Sequence, residues 1–174
     1  ELSISIVGSR KHTSYSRSVL EKIIPQLVDS GIVIVSGLAL GVDGLAHHLT
    51  LENGGKTIGV LGCGVDSIYP TSNRGLGDRM IKSGGLIISE FPPGTSPLKQ
   101  NFPLRNRIIA GMSAGTLIVE ARHDSGSLIT AGLANEYGRE VFAVPGNINS
   151  FASEGTNELI KQGARMVTAA PDIL

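Results

Sequence analysis

The feature that most constrains this chain is a strict alternation of short apolar runs with longer segments of helical period. The run IVIV at 32–35 is apolar at every position, as in a strand covered on both faces. Before it, residues 3–7 (SISIV) read as a strand entering a turn at Gly8. Residues 14–30 read as a helix, with Val19, Leu20, Ile23, Leu27 and Val28 near one face and Pro25 as an expected kink. A helix over 41–52 follows, with Val42, Leu45, Ala46 and Leu49 at core spacing. The cycle then repeats, with strands at 57–61, 86–89, 116–120, 141–144 and 165–167. Helices are expected at 72–83, 103–112, 127–137 and 154–162, the second opened by Pro103 in its first turn. Such alternation implies right-handed crossovers and an α/β fold: an open, mostly parallel sheet of about seven strands with helices on both faces. A closed eight-stranded barrel needs roughly 250 residues, more than the 174 present.

That length suits one domain, 1–174, with a core of its own. The chain begins almost directly with a strand, at Glu1, which fits a piece of a longer protein. The 23 glycines suit many tight strand-to-helix turns. Aromatics make up only 4%, which argues against a surface built mainly of stacking rings. A net charge of zero excludes a histone-like protein and leaves room for a local basic patch. The one cysteine, Cys63, forms no internal disulfide, and no cysteine–histidine cluster offers a zinc site. No signal peptide and no membrane-length apolar run are found, so a cytoplasmic protein without membrane contact is expected.

In open parallel sheets, ligands bind outside the carboxyl ends of the strands. Those ends here are rich in glycine, serine and cations. The first strand ends in Gly8, Ser9, Arg10 and Lys11, and the second in Ser36, Gly37 and, further on, Gly41. The third ends in Gly62-Cys63-Gly64, and the fourth leads through Glu90 into a proline-rich loop carrying Lys99. The fifth leads through Glu120 and Arg122 to Ser125, Gly126 and Ser127. Glycine turns and helix amino termini present backbone N–H groups that suit phosphates. Arg10, Lys11, Lys99 and Arg122, distant in sequence, should converge on one rim. Neither G-x-G-x-x-G nor GxxxxGK[ST] occurs, so no nucleotide cofactor is expected.

Helical geometry refines the stretch Asn101–Arg107. Leu104, Ile108, Ile109 and Met112 define an expected buried side, with Arg105 near that stripe and Arg107 well away from it. Arg105 is expected to reach over the sheet edge, toward ligand or toward Glu90 or Glu120. Arg107 is expected to be solvated or ion-paired. Phe102 is either a stacking platform or a core aromatic beside Leu104. Asp43 and His47 stand four apart on one helix, as do His48 and Glu52, and each pair reads as a local contact. Ser127 is the expected helix N-cap, which leaves Ser125 and the Gly126 amide for a phosphate.

Taken together, IVGSR (6–10), SGLALGVDGLAH (36–47), GVDSIYP (64–70), NFPLRNRIIAGMS (101–113), SGSLITA (125–131), GREVFAVPG (138–146) and EGTNELIKQGA (154–164) resemble the DNA-processing protein A family, also called Smf. The resemblance runs in family order along nearly the whole chain. It implies an extended Rossmann-like domain without catalysis that binds single-stranded DNA in a basic pocket. It further implies dimers and help in loading the RecA recombinase onto incoming DNA during natural transformation and recombination. By this resemblance Gly8, Ser9 and Arg10 are first-strand DNA contacts, and Lys99 and Phe102 are the basic and stacking contacts. Ser36, Gly37 and Gly41 match pocket-lining turns, and Asn106, Ser125, Gly126, Ser127 and Thr130 match the opposite wall. The competing reading is a Rossmann-like hydrolase of nucleotides, of the phosphoribohydrolase type, using Glu90 and Glu120. Asp124-Ser125-Gly126-Ser127 departs from the PGGxGT pattern of such enzymes.

Overall fold

The computed structural model describes residues 2–174; the start of the chain at Glu1 lies outside them. Seven strands form one sheet: β1 (Ser3–Val7), β2 (Val33–Ser36), β3 (Thr57–Val60), β4 (Leu86–Ile88), β5 (Gly115–Ile118), β6 (Glu140–Ala143) and β7 (Arg165–Met166). Six α-helices alternate with them: α1 (Ser14–Asp29), α2 (Val42–Glu52), α3 (Arg74–Lys82), α4 (Asn101–Met112), α5 (Gly126–Glu136) and α6 (Glu154–Lys161). The strand order is β4-β3-β2-β1-β5-β6-β7, and every pairing is parallel. The chain winds outward from β1 to β4, then returns to place β5 on the other side of β1. The β1/β5 junction is thus the topological switch point, where open α/β sheets hold their ligands.

The alternation Ser-Ile-Ser-Ile in β1 sorts the two faces. Ile4 and Ile6 join Leu20, Ile23, Ile24 and Leu27 of α1 and Val42, Leu45, Ala46 and Leu49 of α2 in the larger core. Ser5 points the other way, onto α4. Its hydroxyl donates to the Ile109 carbonyl at 2.7 Å and meets the Ser113 hydroxyl at 2.7 Å. A small polar side chain lets α4 lie close to the strand while a buried hydroxyl keeps its partners. Pro25 sits inside α1, which runs on to Asp29.

One expectation about a helix face fails. On α4, Leu104 is 55% exposed and Met112 41% exposed, while Asn101, Arg105, Ile109 and Ala110 are buried. The face turned to the sheet therefore has an arginine at its centre, and it is rotated from the side marked by the hydrophobic residues.

Candidate nucleic-acid interface

A cleft of about 600 Å³ opens at the switch point, between the turn after β1, the loop before α4 and the turn before α5. Of the expected contacts, Gly8, Ser9, Arg10, Lys99, Phe102 and Asn106 line it. So do Arg105, Ser125, Gly126, Ser127 and Thr130, together with Arg122. Lys11, Ser36, Gly37 and Gly41 do not line it.

The turn after β1 is held to its neighbours by backbone bonds. The Ser9 amide donates to the Glu120 carbonyl at 2.8 Å, and the Val42 amide donates to the Ser9 carbonyl at 3.0 Å. Ser9 Oγ accepts from the Lys11 amide at 3.1 Å, so the turn closes on itself. Arg10 is exposed, with its guanidinium carbon 5.6 Å from the centroid of the Phe102 ring. That is within reach of a cation–π attraction. Phe102, in the first turn of α4, is half-buried and faces the cleft; its ring lies 5.8 Å from that of Tyr69, tilted by 39°. The platform reading of Phe102 thus has the required exposure. Tyr69 was not expected in the site. Its signal was an aromatic residue next to a proline in a loop that leaves a strand end.

Lys99 is carried by the proline-rich loop, which is pinned at several points. The Gly94 amide donates to both Asp66 carboxylate oxygens at 2.9 and 3.0 Å, and the Gly64 amide donates to the Thr95 carbonyl at 2.9 Å. The Ser89 hydroxyl closes its start on the Cys63 carbonyl at 2.7 Å. Among the described residues neither Arg10 nor Lys99 has an ion-pair partner, whereas Arg122 sits 3.5 Å from Asp124.

On the opposite wall the N-cap is Ser125 rather than Ser127. α5 starts at Gly126, and Ser125 Oγ accepts from the Ser127 amide at 3.3 Å. Ser127 and Thr130 are 8% and 1% exposed, so they shape the wall more than they offer groups to a ligand. Asn106 reaches the Gly126 carbonyl at 3.4 Å and joins the two helices.

Beneath the cleft lies a buried polar cluster that corrects several expectations. Arg105 is 4% exposed. Its Nη1 donates to the Gly37 carbonyl at 2.7 Å and to the Val60 carbonyl, and its Nε to Asn106 Oδ1 at 3.3 Å. It does not reach over the sheet edge to Glu90 or Glu120. Arg107 is the residue that pairs with Glu90, and Glu120 accepts from the Thr13 amide and hydroxyl at 3.0 and 2.5 Å. Neither glutamate is among the residues lining the cleft.

Ser36 is fully buried, ties strand to strand by donating to the Ile6 carbonyl at 2.6 Å, and does not line the cleft. Gly37 is buried because Asp43 and Arg105 close on it: an added Cβ would sit 2.6 Å from Asp43 Oδ2 and 2.7 Å from Arg105 Nη2. Gly41, at φ 80°, stands behind Arg10, where a side chain would strike the Ser9 and Arg10 backbone. Both glycines shape the site from outside it.

Asp43 and His47 do not pair with each other. Asp43 Oδ2 accepts from the Gly37 amide at 3.1 Å. Burial pushes its carboxyl above the usual range, and Arg105 and the Gly37 amide pull against that shift. His47 Nε2 accepts from the Leu38 amide at 3.3 Å, and its Nδ1 meets Thr57 Oγ1 at 2.7 Å. The Thr57 hydroxyl is committed to the Ile34 carbonyl at 2.7 Å, so the imidazole is neutral with its proton on Nδ1. Burial first, and the Arg105 charge second, lower its pKa to about 3. By contrast His48 and Glu52 do pair, at 3.2 Å.

The family model described as DNA recombination-mediator protein A matches residues 1–174. The chain is 48% identical over 171 residues to the DNA processing protein of Streptococcus pneumoniae, covering 98% of this chain and 60% of that protein. The X-ray structure of that species' DNA processing protein A superposes with a TM-score of 0.91 at 45% identity, over 99% of this chain and 60% of the other. A Helicobacter pylori DNA processing protein A, described for its single-stranded DNA binding mode, superposes with a TM-score of 0.89 at 36% identity, over 99% of this chain and 78% of that one. The chain spans between 46% and 60% of the length of three of the curated relatives it matches.

Proposed function

The chain belongs to the DNA recombination-mediator protein A family, and from that premise we propose that its switch-point cleft grips single-stranded DNA by backbone and base without acting on it chemically. The observation that carries this reading is the meeting in one cleft of two cations without ion-pair partners, Arg10 and Lys99, and the half-buried ring of Phe102, with Arg10 beside the ring. A phosphate neutralises each cation, and a base of any identity stacks on the ring. The Helicobacter relative's described binding mode supports the ligand class. The wider role follows the family: residues 1–174 act as one core domain that protects incoming DNA and helps load RecA during transformation. It does so as a dimer in the cytoplasm. No helix among the described residues is long and apolar enough to cross a membrane.

Fluorescence anisotropy with oligo-dT across a salt series tests the proposal. Each phosphate contact on a single strand contributes about 0.7 to the log–log salt slope. The double variant R10A/K99A should therefore bind weakly with a slope smaller by about 1.4. Absence of binding at low salt, or undiminished binding by R10A/K99A, would reject the reading. Light scattering and a RecA filament assay separate the dimer and loading parts from DNA binding itself.

A further inference from the structure

A second groove, of about 450 Å³, lies on the far side of the β1 turn, between α1, α2 and α3. Its lining includes Arg17, Arg79, His12 and His48, with a low floor at Gly41, Gly44 and Gly75, and no carboxylate is among the lining residues. Arg17 comes from α1 and Arg79 from α3, so their meeting is a product of the fold. Arg79 donates to His48 Nδ1 at 3.3 Å, and His48 Nε2 lies 3.2 Å from Glu52. That relay uses one of the five N–H donors of the Arg79 guanidinium, holds it in place and leaves its charge at the groove. Arg17 sits 3.5 Å from Glu21, with both side chains half-exposed. An exposed pair of this kind is worth about 1 kcal/mol or less, so a phosphate competes for Arg17 readily.

The groove and the cleft share one rim. Ser9 and Arg10 line the cleft and His12 lines the groove, with exposed Lys11 between them. On the next turn Ala39 lines the cleft while Leu40 and Gly41 line the groove. A strand leaving the cleft past Arg10 meets Lys11, then the Arg17–Arg79 groove, with a cation at each stage.

We infer that this groove is a second phosphate subsite, taking the backbone of the same single strand after it leaves the cleft. The inference rests on the reading of the cleft as a single-stranded DNA site. It adds a path and a site length to that reading. The groove has no Phe, Tyr or Trp among its lining residues, so it tracks backbone without a large stacking platform and is indifferent to base identity.

The test compares two oligo-dT lengths, about six nucleotides to fill the cleft alone and about twenty to span both sites. The variant R17Q/R79Q changes two exposed positions and leaves the cleft residues in place. It should bind the short oligonucleotide like the wild type. With the long one its salt slope should fall by about 1.4, from two lost contacts at about 0.7 each. Between 50 and 200 mM salt the wild type then loses about sevenfold more affinity for the long strand than the variant does. R10A/K99A should weaken both lengths. An unchanged slope for R17Q/R79Q on the long strand overturns the subsite, and is the result expected if the groove takes an acidic protein segment instead. Failure of the wild type to bind either length rejects the cleft reading itself, which is a separate outcome.

Discussion

Replacing Arg105 with methionine should destabilise the fold from the floor of the cleft. Methionine keeps much of the volume and flexibility of the arginine stem, so the change isolates the loss of the guanidinium. Two buried backbone carbonyls, of Gly37 and Val60, lose their shared donor, and the buried Asp43 carboxylate loses its facing charge. A buried carbonyl left without a donor costs about 1–3 kcal/mol, and two are affected here. Asp43 retains the Gly37 amide, which favours the lower end. A loss of about 3–4 kcal/mol is a large part of the roughly 5–15 kcal/mol that holds a domain of this size. With a urea dependence of about 2 kcal/mol per molar, the unfolding midpoint should fall by about 1.5–2 M. The second variant, R105M/D43N, should be less destabilised than the sum of its parts, since the two groups compensate each other. Urea titrations followed by circular dichroism give the midpoints, and oligo-dT anisotropy at low urea gives the affinity of the folded protein. A midpoint within about 0.3 M of wild type, with affinity down tenfold or more, would show that Arg105 works as a ligand contact and that the structural account is wrong.

Phe102→Ala should cost about 1–3 kcal/mol of DNA affinity, similarly for all homopolymers, as read by anisotropy, and Phe102→Tyr should restore most of it. His47 has a folded pKa of about 3 against an ordinary 6.5, so the unfolded chain binds its proton first as pH falls. The stability this contributes is full above 6.5 and is lost toward pH 3 at up to about 1.4 kcal/mol per unit. Asp43, raised by burial, contributes in the opposite sense: its share is present at pH below its ordinary 3.8 and is lost as pH rises through its folded value. The fall in urea midpoint between pH 7 and pH 5 should therefore be smaller in His47→Gln than in the wild type. Gly41→Ala should lower both stability and DNA affinity, although Gly41 lies outside the cleft, because a Cβ there displaces the backbone that carries Arg10. Thermal melts and anisotropy on the same preparation check whether the two losses occur together.

The architecture was legible because its signals are local. Apolar runs and helical periods mark the seven strands and six helices to within a few residues, and the strand-end rule leads to the cleft. What was not legible depends on contacts between distant segments. The Arg105 face of α4 is buried because carbonyls just past β2 and at the end of β3 stand ready to receive it, and no period in the 101–112 stretch encodes those partners. Ser36 and Gly37 obey the strand-end rule by position, yet face inward, where α4 and α2 meet the sheet. The Asp43–His47 spacing suggested a pair, and burial gave each residue a stronger partner elsewhere. Tyr69 was missed because it lies nine residues beyond the end of β3, and the strand-end rule marks only the residues that follow a strand directly.

The contact between Arg10 and Phe102 has a kinetic consequence. The Arg10 guanidinium carbon lies 5.6 Å from the centroid of the ring on which, in the proposed function, a base stacks. On that proposal a base and the arginine share one ring, and a phosphate that draws the guanidinium aside would open the ring to the base. Binding is then expected in two phases, a fast encounter that slows steeply with added salt and a slower insertion that salt barely affects, which stopped-flow fluorescence at two salt concentrations checks.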